Sequence, residues 1–213
     1  IDIPQANQDS FSIPDDQSLV GSSLRVLVSS LDSRGGITLF TSEPVNIANS
    51  NDSPQHTIVI QGNTIEGSTL SVDTSSLSDQ DGIPLSGSQA PSLQWLRNGS
   101  PIPDAVTSSY TLTQDDVDSR ISLQISYVDL FNNQESFALT TSSDVRNIDN
   151  QATASLSISG SPQEGHSLSV SLSDLVDPDG STTLSFQWQY LLDNSWIDIP
   201  QANQDSFSIP DDQ

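Results

Sequence analysis

Residues 177–189 read Asp-Pro-Asp-Gly-Ser-Thr-Thr-Leu-Ser-Phe-Gln-Trp-Gln, an acidic turn followed by a stretch with strand character and one tryptophan. The same plan occurs about 100 residues earlier, where Asp79-Gln-Asp81-Gly82 precedes Leu93-Gln-Trp95. Asp-Gly pairs favour tight turns, and a single tryptophan in a short strand is typical of a small β core. A turn, a strand and a tryptophan in the same order, twice, predict a tandem array of similar units.

An exact repeat fixes the period of this array. Residues 1–17, IDIPQANQDSFSIPDDQ, recur unchanged as residues 197–213, which is a shift of 197 − 1 = 196 residues. We read this shift as two repeats of about 98 residues each. The chain therefore divides into the C-terminal half of one repeat (1–50), a complete repeat (51–150) and the N-terminal part of a third (151–213). In the following, these three parts are called the N-terminal unit, the central unit and the C-terminal unit.

Alternation of apolar and polar residues predicts short strands in the central unit. Residues 120–128 are the clearest case, because every second residue from Ile121 to Tyr127 is apolar or aromatic. Similar runs lie near 57–61, 68–74, 92–97, 108–113 and 135–145, separated by turn pairs such as Asn98-Gly99. No window has a convincing helical period. We predict an all-β fold of tandem immunoglobulin-like (cadherin-like) Greek-key β-sandwiches.

Composition excludes several classes of function. The chain has 28 acidic residues against five arginines and no lysine, a net charge of −23, so it repels nucleic acid and anionic membranes. It has no cysteine, so we expect no disulfides, and no apolar run of 18 residues, so we expect no membrane span. Because it also has no methionine to begin a chain, we expect that it is a fragment. Nucleophile-elbow, P-loop and zinc-protease motifs are absent, and we predict that it is not an enzyme.

Five short motifs carry a resemblance to a known group of proteins. They are Glu66-Gly67, Asp79-x-Asp81-Gly82, Leu93-Gln-Trp95, Leu112-Thr-x-x-Asp116-Val and Ile125-Ser-Tyr-Val-Asp129. These resemble the Ig-like, cadherin-like extender repeats of bacterial RTX adhesins and related giant surface proteins. The resemblance implies an extracellular, calcium-stiffened spacer on a bacterial cell surface, which holds an adhesive region away from the cell in adhesion and biofilm formation.

The expected Ig-like topology brings acidic residues that are distant in the sequence together at two linkers between units. These two places are candidate metal sites. In an Ig-like unit the turn after the first strand and the turn before the sixth lie at one end, beside the exit linker. Without a cation, several converging carboxylates cost several kcal/mol, and Ca²⁺ accepts six to eight oxygen ligands. The alternative is that these residues only form turns and strand caps. The expected ligands at the exit linker are Glu66, Asp116, Asp118, Asn147, Asp149, Asp177 and Asp179. The expected ligands at the entry linker are Asn49, Asp52, Asp79, Asp81 and Asp129, with Asp15 and Asp16 close by.

Two further expectations concern partners. A half sandwich buries too little surface to fold alone, so we expect the N-terminal unit of one copy to complete the C-terminal unit of another, head to tail, with closure inside one chain as the alternative. We expect no direct ligand, nucleic acid or membrane partner for these units. The alternative function is a carbohydrate-binding module that uses Trp196, which has no aromatic counterpart at Gly99 or Ser100.

Overall fold

The protein is described by a computed structural model, which covers residues 2–4, 6–180 and 182–211. In these ranges the regular structure is β-strand, with one 3₁₀ turn at Gln114–Asp116 and no α-helix. No helix long and apolar enough to cross a membrane occurs in them. The strands are β1 (Ser23–Leu24), β2 (Leu27–Leu31), β3 (Ile37–Thr41), β4 (Val45–Asn46), β5 (Thr69–Ser71), β6 (Ser92–Arg97), β7 (Ser100–Pro101), β8 (Ser109–Thr111), β9 (Ile121–Val128), β10 (Gln134–Thr140), β11 (Thr153–Gly160), β12 (Ser167–Val176), β13 (Gln189–Leu192), β14 (Ser195–Asp198) and β15 (Ser206–Ser208).

The central unit is built on a four-stranded antiparallel sheet in the order β10-β9-β6-β7. Strand β9 is the middle of this sheet, and its alternating pattern is borne out because Ile121, Leu123 and Ile125 are completely buried. A second pair, β5 with β8, lies against the sheet, as expected of a β-sandwich. Parallel bridges from Ile65 to Arg146 and from Val117 to Val145 tie the start and the end of the unit together.

Trp95 on β6 is the centre of the core of the central unit. Its ring is completely buried, it packs at 5.9 Å from the Tyr110 ring, and its indole N–H donates to the Thr107 carbonyl at 2.9 Å. A buried tryptophan needs such an acceptor for its single polar atom. The other buried members of this core are Ile58, Leu70, Val72, Ile102, Ala105, Leu112, Ile121, Leu123, Ile125 and Val145.

The C-terminal unit repeats several strand pairings and ring contacts of the first half of the central unit. Strand β12 pairs with β15 so that Leu168 faces Phe207, as Leu70 faces Tyr110 in the β5–β8 pair. Trp188 packs at 5.7 Å from the Phe207 ring, and its indole N–H donates to the Gln204 carbonyl at 3.0 Å. The predicted equivalence of Trp188 with Trp95 is therefore visible in the geometry around both rings.

The N-terminal unit repeats the second half. Strands β2 and β3 pair with Val28 opposite Phe40, which matches Ile125 opposite Phe137 in the β9–β10 pair at a constant offset of 97 residues (125 − 28 and 137 − 40). Every residue of β2 and β3 is exposed, however, because no third strand covers this pair in the described part of the chain. The half units thus keep the strand register of a complete unit without its core.

The predicted all-β class is confirmed, and the strand predictions hold for 92–97 and for 121–128, which lies within the predicted 120–128. The strands predicted near 68–74 and 108–113 are present but shorter, as Thr69–Ser71 and Ser109–Thr111, and two other segments differ more. Residues 57–61 make only an isolated bridge at Gln61, and the predicted strand at 135–145 ends at Thr140, with a separate bridge at Val145. The chain must leave the sheet there to reach the start of the unit. The Greek-key arrangement and the unit boundaries stay predictions.

Candidate functional site

The predicted Asp-x-Asp-Gly turns meet the predicted linkers at two places, through the same backbone contact. The amide of Asp52 donates to Asp81 Oδ2 at 2.7 Å, and the amide of Asn150 donates to Asp179 Oδ2 at 2.6 Å. We call the first place, formed by Gln17, residues 49–52, Asp79, Asp81 and Glu135, the first junction. The second junction comprises Glu66, Gln114, residues 147–150, Asp177 and Asp179.

Each turn is shaped by its own first aspartate. The amide of Asp81 donates to Asp79 Oδ1, and the amide of Asp179 donates to Asp177 Oδ1, both at 2.9 Å. The glycine that follows has a positive φ, 82° at Gly82, where a Cβ would lie 2.6 Å from the Leu130 side chain. Glycine therefore permits the turn that points the second aspartate at the linker.

At the first junction a glutamine bridges two carboxylates. Gln17 Nε2 donates to Asp52 Oδ2 at 2.9 Å and to Asp81 Oδ1 at 2.8 Å, and Asp81 is almost completely buried. Beside them, Asn51 Nδ2 donates to Oε1 of the buried Glu135 at 2.8 Å. Amide groups from the linker and from the preceding unit thus hold carboxylates of the central unit.

Two oxygens at the first junction are buried without a hydrogen-bond partner. They are Gln17 Oε1, on the same carboxamide that bridges Asp52 and Asp81, and Asn49 Oδ1 in the linker. A buried acceptor without a donor costs roughly 1–3 kcal/mol, so such atoms are rare in folded proteins. Carboxamide and carboxylate oxygens together are the ligand mixture that a hard cation takes.

The second junction has a similar concentration of oxygen atoms. Glu66 accepts from Asn150 Nδ2 at 2.9 Å and from the Ile148 amide at 3.2 Å. The Gln114 carboxamide points its oxygen at the carboxylates of Glu66 and Asp179. Rotating this group by 180° would place its nitrogen 3.2 Å from both Glu66 oxygens and 3.1 Å from Asp179 Oδ1. As it stands, Gln114 Oε1 accepts from Asn150 Nδ2 at 3.1 Å, and either that rotation or a cation among the oxygens would offset the repulsion from the carboxylates.

Electrostatics at both junctions reflect this crowding. The N–H of Asn150, opposed by partial desolvation and helped by the side chains of Asn147, Asn150 and Gln114, lowers the pKa of Asp179. At the first junction, burial raises the pKa of Tyr127 strongly, and its hydrogen bond to Asp79 and the nearby Glu135 and Asp129 raise it further. Within the described ranges the ion pairs involve Arg97 with Asp115 and Asp116, and Arg120 with Asp144. None reaches a junction carboxylate.

Several predicted ligands have other roles. Asp116 is buried and accepts from Arg97, Tyr110 and Thr113, so it stabilises the 3₁₀ turn. Asp129 accepts from the Phe131 and Asn133 amides and closes its own turn. The oxygens of both carboxylates are thus already used inside the central unit, and their ligand role stays a prediction. Asp118 and Asp149 are exposed, and Asp16 accepts from Ser18.

The several carboxylates expected at each junction do not converge on one point. In the described parts of the chain, no three Asp, Glu, His or Cys side chains converge as a metal-binding group. The junctions instead combine two or more acids with amides, and Gln17, Gln114 and Glu135 were missed from the sequence. A signal existed for the glutamines, since each lies directly beside an Asp-Asp pair, at 15–16 and at 115–116.

The alternative function, carbohydrate binding, was assigned to Trp196. Trp196 is 65% exposed on β14, opposite Leu191 on β13, which is also exposed. In the part of the chain that the structure describes, the ring contacts join His56 with Phe137, Trp95 with Tyr110 and Trp188 with Phe207, and none involves Trp196.

Comparison with known proteins adds no relative. No protein-family model matches the sequence, and a search of curated proteins gave no significant match.

Proposed function

We propose that this chain is a non-enzymatic spacer from a bacterial surface adhesin, built of tandem Ig-like, cadherin-like Greek-key sandwiches and stiffened by Ca²⁺ at its linkers. Support comes from the all-β repeat, the net charge of −23 and the lack of any cysteine to staple small cores. In this role the units provide the length of the spacer, and the linkers determine whether the spacer is rigid.

The residues present at the junctions fit a calcium ion. At the first junction Asp52, Asp81, Gln17 and Asn49 offer carboxylate and carboxamide oxygens. At the second, Glu66, Asp179, Gln114 and Asn147 do the same. Ca²⁺ takes six to eight such oxygens at 2.3–2.6 Å, whereas Zn²⁺ and copper favour sulfur and imidazole, which are absent from both junctions. When bound, the ion would be held at each junction by oxygens from two successive units.

The observation that carries this proposal is the pair of buried, unpartnered oxygens, Gln17 Oε1 and Asn49 Oδ1, beside the buried Asp81. Amide groups already satisfy part of each carboxylate, but they leave these oxygens without a donor. A cation resolves both problems together, since it accepts electron pairs from every oxygen and offsets the negative charge.

Calcium removal is the direct test. In excess calcium we expect two binding events by titration calorimetry, a higher melting temperature and a longer maximum dimension in solution X-ray scattering than in chelator. Asp81→Asn and Asp179→Asn should each abolish one binding event and leave the other. Magnesium should restore less of the length, because it keeps more water.

A matched control separates binding from general loss of charge. Asp73 also accepts the amide of the residue two positions ahead, Ser75 at 2.9 Å, but it lies outside both junctions. Asp73→Asn should keep both binding events. The calcium proposal fails if excess chelator leaves the melting temperature and the maximum dimension unchanged.

A further inference from the structure

We propose that the N-terminal unit of one copy inserts into the C-terminal unit of a second copy in one defined antiparallel register, in which Val26 faces Trp188 and Ser29 faces Ser185. The inference sharpens the expectation of head-to-tail pairing into named strand partners. It does not depend on calcium at the junctions.

The C-terminal unit presents an open apolar groove. It lies between β11 and the segment before β13, and its lining includes Leu156, Ile158, Val170, Phe186 and Trp188. Leu156 is 72% exposed, whereas its counterpart in the central unit, Ile58, is 5% exposed. Residues 185–188 form no strand, although the equivalent residues of the central unit, 92–95, belong to β6. The first fact describes a core face that is uncovered, and the second describes a segment without the strand that pairs with its counterpart in the central unit.

The N-terminal unit presents the missing apolar face. Val26 and Val28 are 55% and 51% exposed, and Phe40 beside them is also exposed. Their counterparts in the central unit, Leu123 and Ile125, are completely buried. Exposed apolar surface of this extent, on a two-stranded ribbon with open edges, is unusual for a protein that stays monomeric.

The central unit shows how these two surfaces fit. There β6 pairs with β9, with Trp95 opposite Leu123, Leu93 opposite Ile125 and Ser92 opposite Ser126. Subtracting 97 from the residue numbers of β9 and adding 93 (188 − 95) to those of β6 transfers this pairing to the half units. The transferred pairs are Trp188 with Val26, Phe186 with Val28, Gln187 with Leu27 and Ser185 with Ser29.

Both chains of such a pair could supply the duplicated 17-residue segment to the completed unit, and the structure indicates which chain does. In the C-terminal unit residues 206–208 already pair with β12, and Phe207 already packs on Trp188. The position of this segment in the completed unit is therefore taken, and the incoming chain contributes residues 18–46. Its own residues 2–16 remain outside.

A second copy of the 213-residue chain is the source of the strand. No strand pairing or hydrogen bond joins residues 18–46 to residues 153–208 within the described parts of one chain. The complete central unit lies between them along the chain. Pairing between copies joins one N-terminal unit to one C-terminal unit and leaves a free half at each end, which allows chains of several copies.

Cysteine cross-linking tests the register, and the absence of native cysteine makes it clean. The Ser92 and Ser126 hydroxyls of the central unit lie 3.0 Å apart, so cysteines at Ser29 and Ser185 should meet the distance that a disulfide needs. Mixing Ser29→Cys chains with Ser185→Cys chains under mild oxidation should give a covalent heterodimer. Ser30→Cys is the matched control, since neighbouring residues of a strand face opposite sides, and it should give at least about tenfold less.

Association without any cross-link is the second measurement. Sedimentation should show species larger than the 22.8 kDa monomer, in an amount that rises with concentration. Val28→Asp should abolish them, while Val59→Asp, at an equally exposed site of the central unit, should not. The proposal is overturned if the heterodimer yield equals that of the control, if a chain that carries both Ser29→Cys and Ser185→Cys closes into a cross-linked monomer, or if Val28→Asp leaves the association unchanged. Repeating both measurements in chelator separates this result from the calcium test.

Discussion

The chain contains its own comparison, because residues 1–17 and 197–213 have identical sequences in different surroundings. In the second copy residues 206–208 form strand β15 on β12, and Phe207 packs on Trp188. In the first copy the described residues, 2–4 and 6–17, form no strand, and Phe11 is 40% exposed. The same amino acids thus give a strand in one place and an irregular segment in the other.

The structural feature that the two identical segments share is a turn closed by a local backbone hydrogen bond. The amide of Ala6 donates to the Ile3 carbonyl, and the amide of Ala202 donates to the Ile199 carbonyl, both at 3.2 Å. A four-residue β-turn is closed by its own backbone atoms, so it forms wherever the sequence occurs. A strand needs a partner for its backbone groups and a surface for its apolar face, and only the second copy has both.

The largest expected effect comes from the position at which the central unit differs from both copies. Four residues after Leu112 stands Asp116, whereas Gln17 and Gln213 stand four residues after Ile13 and Ile209. Asp116→Ala leaves the guanidinium of Arg97 and the Tyr110 hydroxyl without their acceptor. We expect a loss of about 3 kcal/mol in the free energy of unfolding of the central unit, measured by urea denaturation.

Acid should produce the same loss gradually. Burial tends to raise the pKa of Asp116, but hydrogen bonds from Thr113, Arg97 and Tyr110 outweigh it and lower the pKa below its usual value of 3.8. The folded state therefore holds the charge at a pH where the unfolded state is protonated. The stabilisation is complete above about pH 4 and is lost as the pH falls through the lowered pKa.

The neighbouring aspartate is the control for this experiment. Asp115 contacts Arg97 only at 3.9 Å and is largely exposed. Asp115→Asn should leave the acid dependence of unfolding unchanged, while Asp116→Asn should flatten it. Equal acid dependence in the wild type and in Asp116→Asn would show that this carboxylate does not stabilise the unit.

An intermediate effect is expected from the same substitution in the two identical copies. Phe207→Ala removes the ring that packs on Trp188, and we expect about 2 kcal/mol lower stability of the C-terminal unit. Phe11→Ala, in the exposed copy, should cost close to nothing. Tryptophan fluorescence of a Trp95→Phe, Trp196→Phe background reports on Trp188 alone. Equal losses for the two variants would contradict the difference between the copies.

The comparison also explains which features the sequence predicts. Alternation located β9, because burial on one face of a sheet imposes a period of two, and the Asp-x-Asp-Gly turns were found because glycine after aspartate permits them. These signals are local, like the turn at Ile3 and Ile199. The direction of a carboxylate in a loop is not local.

Asp129 and Asp81 illustrate that limit. Both follow the expected pattern and both are buried, but Asp129 accepts the amides of its own turn, whereas Asp81 accepts from the linker and from Gln17. The choice depends on which donors the neighbouring unit supplies. Glu135 was missed for the same reason, since its partner Asn51 lies 84 residues away in the sequence.

The smallest and most local effect concerns two amides. The Ile209 amide donates to the His166 carbonyl at 2.8 Å, while Ile13 forms no backbone hydrogen bond in the described part of the first copy. Because both isoleucines follow serine and precede proline, their intrinsic exchange rates are equal, and any difference reports on structure. We expect the Ile209 amide to exchange at least about tenfold more slowly in hydrogen exchange followed by NMR. This ratio should persist at concentrations where copies associate, because residues 2–16 of the incoming chain stay outside the completed unit. If protection moves from Ile209 to Ile13 on association, residues 1–17 of the incoming chain displace residues 197–213 of the receiving chain. If the two amides exchange at equal rates in dilute solution, the two segments do not differ in structure.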